Sequence, residues 1–214
     1  MLERVIRGDP RRRTRLHDFE GNGLPWAGLR DLAPSFCTTV LGKAGIRWWS
    51  PWWPYPAIRS IRSLLRTSWC VLEFGAGGST QWLARSVRSV LSLESDRTWH
   101  SRVQSRLRAL GCTGVDLRLR ENRMDYATAD HCARREFDFV VVDGAWRDLC
   151  ARTAVRLVRP GGYVYLDNSD VPDPDHRSAV TTLLDAAVRI ERFVGLCPGT
   201  LAVNQGLLIR VQGL

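Results

Sequence analysis

Short apolar runs alternate with stretches of helical periodicity from residue 57 to the end of the chain. The runs predict strands that are buried on both faces of a parallel sheet. The periodic stretches predict helices that each turn one apolar face toward that sheet. The first strand ends at Leu72, and four more are predicted at residues 87–94, 115–119, 137–143 and 163–166. This alternation is typical of a doubly wound α/β domain.

The C-terminal part of the chain predicts a different strand pairing. A helix is predicted from His176 to Ile190, followed by strands at residues 193–197 and 207–211. The turn between these strands is too short for a parallel crossover, so the pair is antiparallel. We therefore expect a Rossmann-like sheet of about seven strands with an antiparallel strand at its C-terminal end. Residues 122–129 are predicted to form a loop.

The N-terminal part shows no sustained periodicity. Residues 1 to about 45 carry glycine, proline and charge, which predicts an extension or a partly ordered cap. Residues 48–56 form a tryptophan-rich loop with five aromatic side chains and three prolines. This loop either packs the N-terminal arm against the domain or forms a wall for a substrate. The predicted division is an extension with this loop over residues 1–53, and a catalytic domain over residues 54–214.

Composition narrows the functional classes. The net charge is +9, but Lys43 is the only lysine among 31 basic residues, and the arginines spread along the chain. The arginines lack the interleaved aromatic residues of a nucleic-acid face, so we do not expect a nucleic-acid partner. The six cysteines lack paired spacing, which favours reduced thiols, and the histidines are predicted as surface or capping residues. No long apolar stretch occurs, so we expect no membrane span and a cytoplasmic protein.

The most informative segment is residues 71–80, Val-Leu-Glu-Phe-Gly-Ala-Gly-Gly-Ser-Thr. Three glycines follow the first strand and lead into a helix that begins near Ser79, with Ser79 or Thr80 as its cap. Glycine allows a positive φ and a close approach of the backbone to a ligand. The free N–H groups at the start of the helix face that ligand. A nucleotide-containing cofactor is therefore expected at this glycine turn.

The spacing within the turn separates two kinds of cofactor. The dinucleotide fingerprint Gly-x-Gly-x-x-Gly would place its last glycine at Thr80, so it is incomplete here. Glu73 suits an ammonium group better than a pyrophosphate, because a carboxylate repels phosphate. Residues 73–80 resemble the first motif of the class I S-adenosylmethionine-dependent methyltransferases. The resemblance implies that the turn binds the methionine end of S-adenosylmethionine. The residues implied in this contact are Glu73, Gly75, Ala76, Gly77 and Ser79.

Glu94 ends the second predicted strand, 19 residues after Gly75. An acidic residue at this position accepts hydrogen bonds from ribose hydroxyls in related sheets. Ser95 belongs to the same implied cofactor site. The alternative for Glu94 is a solvated charge at a strand end, and Ser95 and Asp96 also suit the N-cap of the next helix.

Polar side chains also follow the fourth and fifth strands. Asp143 ends the fourth strand, and Asp167 and Asn168 follow the fifth, so all three are expected at one edge of the sheet. Residues 143–150 and 159–170 strengthen the resemblance, in particular to a bacterial branch of the class I methyltransferases. The three residues are also similar to the Mg²⁺ site of the catechol and caffeoyl-coenzyme A O-methyltransferases, where two Asp and one Asn hold the ion.

The likeness to that metal site has a gap. Those enzymes carry a lysine base soon after the first aspartate, whereas this chain has Arg147 nearby and no lysine in this half. Arginine stays protonated, so it can hold an anionic group but cannot easily take up a proton. Two interpretations stay open. Either Asp143, Asp167 and Asn168 bind Mg²⁺, or Asp143 contacts cofactor or substrate while the other two cap the next helix or turn.

The motifs and the resemblance together predict transfer of a methyl group from S-adenosylmethionine to a small or saccharide-like acceptor, with Asp143 as the catalytic residue. The predicted acceptor atom is an oxygen, and a nitrogen is the less favoured alternative. One alternative is a non-catalytic module that binds RNA or a protein partner through its basic surface. Another is an enzyme with a nicotinamide cofactor, against which the incomplete fingerprint and Glu73 count. The sequence is compatible with a homodimer.

Overall fold

The computed structural model describes residues 9–46, 49–129, 132 and 136–213. Strands among these residues are β1 (Cys70–Phe74), β2 (Ser89–Glu94), β3 (Val115–Leu119), β4 (Phe137–Val142), β5 (Val158–Asp167), β6 (Ala187–Cys197) and β7 (Thr200–Val211). They form one seven-stranded sheet in the order β3-β2-β1-β4-β5-β7-β6. Strands β1 to β5 pair in parallel, and β7 runs antiparallel to both β5 and β6. The predicted Rossmann-like sheet with an antiparallel C-terminal strand is confirmed.

Helices cover both faces of this sheet. Those among the described residues are α1 (Leu32–Lys43), α2 (Tyr55–Leu64), α3 (Gly78–Ala84), α4 (Arg97–Ala109), α5 (Arg123–Thr128), α6 (Arg147–Leu157) and α7 (Pro174–Asp185). Residues of α5, α6 and α7 pack on one face of the sheet around Phe74 and Leu166. Residues of α2 and α3 pack on the other face around Val71 and Leu208. The parallel strands between these layers bring their carboxyl ends to one edge of the sheet.

The N-terminal residues are folded against the C-terminal strands. A 3₁₀ helix at Trp26–Asp31 leads into α1, which packs on β6 and β7. The buried Arg12 guanidinium donates to the carbonyl of Val203 and to Asn204 Oδ1. Asp31 accepts two hydrogen bonds from Arg59, at 2.8 and 3.0 Å. The division after residue 53 stays a prediction, and residues 1–8, Arg47 and Trp48 lie outside the described residues.

Two local predictions are wrong at the C-terminal end. The helix predicted to reach Ile190 ends at Asp185, and β6 begins at Ala187, well before the predicted residue 193. Val188, which the predicted helix placed on its apolar face, is 60% exposed, and Ile190 is also exposed. Pairing with β7 extends β6 back to Ala187, opposite Val211. A local hydrophobic pattern does not contain this long-range pairing.

Two further boundaries differ from the prediction. The loop expected at residues 122–129 contains α5, because the Asn122 side chain caps it by accepting from the Met124 N–H at 2.8 Å. Strand β5 begins at Val158 instead of residue 163, and its register with β4 shifts near Phe137. Gly161 has a φ of +75° there, which a glycine accommodates inside a distorted strand. None of the described helices is long and apolar enough to cross a membrane.

The end of α7 is testable with two truncations. Leu183→Ala removes a fully buried side chain and should lower the free energy of unfolding by roughly 2–5 kcal/mol. Val188→Ala should change it by less than about 0.5 kcal/mol, because the side chain is exposed on β6. Urea unfolding of both variants measures the difference. Similar losses in the two variants would contradict the strand, since both residues face the core in one continuous helix.

Candidate cofactor and acceptor cleft

A cleft of about 390 Å³ opens at the carboxyl edge of the sheet, a size suited to a small-molecule ligand. It collects residues from the glycine turn, from the ends of β2, β4 and β5, from the start of β7 and from the tryptophan-rich loop. Its lining consists of Ser50, Trp52, Gly75, Ala76, Gly77, Gly78, Ser79, Glu94, Trp99, Asp143, Gly144, Asp167, Asn168, Thr200 and Asn204. Of the residues predicted from the sequence, Glu73 and Ser95 are not in this lining.

The three glycines of the turn lie in different surroundings. Gly75 has a φ of +97°, and a Cβ there would lie 2.8 Å from the backbone of Asp143. Gly78 lies under the backbone of Ser50, with no room for a side chain. Gly77 has an extended φ of −178°, which any residue adopts, and a Cβ there would meet only Ser79 Oγ, at an ordinary 3.9 Å. Close backbone contacts therefore require glycine at positions 75 and 78, whereas Gly77 contributes to the lining of the cleft.

Glu73 supports this turn from beneath. Its side chain is fully buried, and Oε2 accepts hydrogen bonds of 2.6 Å from the hydroxyls of Thr80 and Ser92. Burial raises the pKa of Glu73 to about 7, although the hydroxyls of Ser79, Ser92 and Thr80 lower it. Its other oxygen, Oε1, is buried and has no hydrogen-bond partner. In this arrangement the Glu73 side chain lies beneath the backbone of the turn, and its direct contact with the methionine end stays a prediction.

Thr80 connects Glu73 to the start of α3. Its hydroxyl accepts from the Gly77 N–H at 2.9 Å and donates to Glu73. The helix N-cap is Gly77, so neither Ser79 nor Thr80 is the cap residue that the sequence predicted. Ser79 and Thr80 lie in the first turn of α3, and Ser79 reaches the cleft lining. Two consecutive hydrogen bonds, from Gly77 to Thr80 and from Thr80 to Glu73, therefore connect the glycine turn to the buried carboxyl group.

Glu94 joins the end of β2 to the same turn. Its Oε2 accepts from the Ala76 N–H at 3.1 Å, and Oε1 accepts from the N–H groups of Ser95 and Asp96 at 2.7 and 2.8 Å. Burial raises the pKa of this carboxyl, against the lowering effect of these backbone donors. The Asp96 side chain caps α4. Glu94 is thus a nearly buried carboxylate in the cleft wall, not a solvated strand-end charge.

The tryptophan-rich loop both packs against the domain and lines the cleft. Trp53 is fully buried beside Tyr165, and its Nε1 donates to Asp143 Oδ2 at 2.9 Å. Trp49 stacks on Trp99, whose Nε1 donates to the Ala76 carbonyl at 2.6 Å. Trp52 is half exposed and lines the cleft. Side chains of the loop therefore both pack on the domain and reach the cleft, while its role as a wall for a substrate stays a prediction.

Arg147 lies where the sequence allowed a metal ion. Its Nη2 is 3.3 Å from both Asp143 Oδ1 and Asn168 Oδ1, and Nη1 donates to the Asp167 carbonyl. Asp167 Oδ1 accepts from the Tyr165 hydroxyl at 2.9 Å. A guanidinium between these oxygens repels a divalent cation, so the three residues do not fit Mg²⁺ in this arrangement. Among the described residues, no group of three His, Cys, Asp or Glu has a metal-binding geometry.

The guanidinium also compensates buried negative charge. Burial raises the pKa of Asp143, and Arg147 and the Trp53 N–H lower it. The pKa of Asp167 lies well above its usual range because of burial and because Asp143 is close, with Arg147 acting in the opposite direction. Arg147 is itself nearly buried. One fixed positive charge therefore offsets two carboxyl groups in the cleft wall.

His176 completes the set of groups around Arg147. Its Nε2 lies 2.9 Å from Arg147 Nη1, and its Nδ1 lies 2.7 Å from Asp173 Oδ1. Because arginine only donates, Nε2 accepts and the ring is neutral, with its proton on Nδ1 toward Asp173. Burial and Arg147 lower the pKa of His176. The prediction of a surface or capping residue missed this contact, and His131 lies outside the described residues.

Four other residues that shape the cleft were not predicted from the sequence. Those that support or line it from distant segments are Trp53, Tyr165, Thr200 and Asn204. Trp53 reaches Asp143 across 90 positions, and Thr200 and Asn204 belong to β7, so no spacing rule finds these three. Tyr165, in contrast, binds Asp167 two residues away. Arg147 carried a local signal, because it follows Asp143 by four residues and the two form an ion pair.

Comparisons with known proteins agree on the fold. No family model matches the sequence, and no curated protein matches it. The O-methyltransferase TomG from Streptomyces achromogenes, solved with S-adenosylmethionine, is 23% identical over 85% of this chain and 90% of its own, with a TM-score of 0.62. An O-methyltransferase from Bacillus cereus, solved with S-adenosylhomocysteine, is 19% identical over 88% and 92%, with a TM-score of 0.61. A putative O-methyltransferase from Klebsiella pneumoniae is 22% identical over 73% and 77%, with a TM-score of 0.57. The chain has the fold of the class I S-adenosylmethionine-dependent methyltransferases.

The raised pKa of Glu73 makes stability depend on pH. The pKa of Glu73 rises from its ordinary value of 4.5 to about 7 in the folded chain. At pH values between these two, Glu73 keeps a proton in the folded chain that it has released in the unfolded chain. The free energy of unfolding should therefore fall as pH rises through this window, by on the order of 3 kcal/mol from this group. Glu73→Gln should remove that part of the slope in urea unfolding at several pH values. The exposed Glu121→Gln is the control, and equal slopes in wild type and Glu73→Gln would contradict the assignment.

Proposed function

We propose that the protein transfers a methyl group from S-adenosylmethionine to a hydroxyl oxygen of a small acceptor. The observation that carries this proposal is the cleft itself, in which the glycine turn, Glu94 and Asp143 line one continuous space. Three solved O-methyltransferases share the fold, which agrees with this chemistry. Both the cofactor contacts and the acceptor are part of the proposal.

The cofactor occupies the part of the cleft beside the glycine turn. The Glu94 carboxylate accepts hydrogen bonds from the ribose hydroxyls. Ser95 supports this carboxylate, because its backbone N–H donates to Glu94 Oε1. Gly75, Ala76, Gly77 and Ser79 surround the methionine end, where the backbone can approach closely. Glu73 supports the turn from below through its hydrogen bond with Thr80. Trp99 closes the side of the cleft next to Glu94.

The acceptor occupies the opposite part of the cleft. Trp52 supplies an exposed aromatic face, and the same cleft lining contains hydroxyl, amide and carboxyl groups. These polar groups belong to Ser50, Asp167, Asn168, Thr200 and Asn204. An aromatic face combined with several hydrogen-bonding groups suits a compact polyhydroxyl molecule such as a saccharide, which has apolar C–H faces and polar edges. We retain the cytoplasm as the proposed compartment and a homodimer as the proposed assembly.

Methyl transfer depends mainly on alignment, because the sulphonium already activates the methyl group. Asp143 is the proposed catalytic residue, since Trp53 and Arg147 hold its two oxygens in fixed positions. It accepts a hydrogen bond from the acceptor hydroxyl and so directs an oxygen lone pair at the methyl carbon. The carbon–oxygen bond forms as the carbon–sulphur bond breaks, and the hydroxyl proton passes to the carboxylate.

Binding of S-adenosylmethionine tests the cofactor site. Calorimetry should detect one site per chain, and Glu94→Gln should weaken binding by roughly 10- to 100-fold, as expected for loss of a charged hydrogen-bond acceptor. Glu121→Gln, at an exposed carboxylate outside the cleft, should bind like wild type. The absence of heat at high cofactor concentration would contradict the proposal. That result would favour a non-catalytic module that binds RNA or a protein partner.

The charge of Arg147 predicts independence from divalent metal. Mg²⁺ or a chelator should change neither the melting temperature nor turnover of the wild type. Arg147→Met should lose about 3–5 kcal/mol of stability, because it leaves buried carboxyl groups without a compensating charge. Arg159→Met removes a more exposed pair with Asp138 and should cost less than about 1 kcal/mol. Loss of turnover with chelator, or a clear thermal shift of the wild type with Mg²⁺, would support the magnesium interpretation of Asp143, Asp167 and Asn168.

A further inference from the structure

Helix α1 packs on the domain with its polar face inward. Ser35 is fully buried, and its hydroxyl lies 3.0 Å from the carbonyls of both Cys197 and Thr200. The nearly buried Thr38 hydroxyl accepts from the Gly199 N–H at 2.9 Å. The helix therefore satisfies the backbone polar groups of the turn between β6 and β7. A surface helix normally places its apolar residues on this side.

The apolar side of α1 faces solvent in the single chain. Leu32, Phe36 and Val40 are spaced four residues apart on one side of the helix, and they are 36%, 55% and 48% exposed. Two apolar side chains of the preceding 3₁₀ helix are also exposed, Leu29 at 45% and Trp26 at 89%. Residues 32–42 contain no charged side chain. We call these five side chains the α1 face.

The α1 face is large for a surface left in contact with water. A fully buried aromatic side chain covers about 150–250 Å², so these exposed fractions amount to roughly 500 Å². Contiguous apolar patches of this size on single chains are often interaction sites. Each partner in a standard protein interface buries about 800 Å², so this face supplies more than half of one side. Its size suits a protein interface.

We propose that the α1 face is the interface between two copies of this chain. Apart from Lys43 at its C-terminal end, this helix face is apolar and uncharged, and such a face is complementary to itself, which a two-fold symmetric contact requires. The rest of the chain carries a net charge of +9 and repels a second copy. Association is therefore favoured where charge is lowest. This inference does not depend on the proposed methyl transfer.

A lipid surface fits the same face less well. Helices that lie in a membrane interface keep a basic polar face toward the lipid headgroups and the water. The polar face of α1, formed by Ser35 and Thr38, is instead covered by the turn between β6 and β7. Lys43 is the only basic residue within α1 itself. The second copy is therefore the occupant that matches both faces of the helix.

Pairing at the α1 face also bears on the cleft. Thr200 begins β7, lines the cleft, and accepts the Ser35 hydroxyl through its carbonyl. A second copy against the outer face holds α1 in place and so holds this turn. The interface thus lies one helix away from the part of the cleft assigned to the acceptor.

Solution mass and cross-linking of the full chain test the interface. Light scattering after gel filtration should give twice the chain mass of 24.2 kDa for the wild type. Phe36→Glu should weaken the dimer by at least about tenfold and shift the mass toward one chain. Val188→Glu, which places the same charge at an exposed apolar residue on β6, should remain dimeric. Thermal melts should show all three proteins folded, because both sites are exposed.

Cys37 gives a readout that a general change in solubility would not produce. Cys37 is exposed and lies about 100° around the helix from Phe36, at the margin of the α1 face, so a short bis-maleimide should join two chains through it. Cys37→Ser should prevent that cross-link, and Phe36→Glu should reduce it. A monomeric wild type at every concentration, or a dimer unaffected by Phe36→Glu, would overturn the proposal. Binding of a monomeric wild type to anionic vesicles, lost in Phe36→Glu, would assign the face to lipid instead.

Discussion

The ion pair between Arg147 and Asp143 holds together the working edge of the sheet. Asp143 follows β4, Asn168 follows β5, and His176 lies in the first turn of α7, and all three contact the same guanidinium. Without that charge, two buried carboxyl groups would face each other across a few ångströms of low-dielectric protein. The wall of the cleft therefore depends on one buried cation. Because its donors face protein acceptors, this cation is a fixed part of the scaffold.

The glycine turn depends on a second buried carboxyl group. Glu73 binds Thr80, Thr80 binds the Gly77 N–H, and Gly75 packs against the backbone at Asp143. The two halves of the cleft are thus in direct contact through Gly75 and the backbone of Asp143. A site held in this way is preorganised for a ligand, which reduces the cost of ordering it on binding.

The sequence was sufficient for the features that depend on local patterns. Strand β3 begins and ends at the predicted residues, and the glycine turn leads from strand to helix as expected. Predictions failed where a distant partner decides the outcome. The residues after Asp185 join β6 because β7 is available for pairing, and Trp53 reaches Asp143 across 90 positions of the chain. The residue type at Glu73 predicted contact with a cofactor, which stays a prediction, whereas only the packing places the side chain below the turn.

The outward face of α1 was hidden for the same reason. Its sequence gives no strong amphipathic pattern, and its meaning depends on the turn that Ser35 and Thr38 contact. Because Ser35 and Thr38 form the inner face, the apolar residues on the opposite side of α1 cannot belong to the core, and their exposure requires another explanation. Interaction surfaces of this kind follow from the fold and not from periodicity alone.

The most direct measurement is a crystal structure of the protein grown with S-adenosylhomocysteine and Mg²⁺. We expect the ribose on Glu94, the amino-acid end beside Gly77, and Arg147 still between Asp143 and Asn168, with no divalent ion there. A cofactor bound outside this cleft, or a magnesium ion that displaces Arg147 from Asp143, would contradict this description of the site.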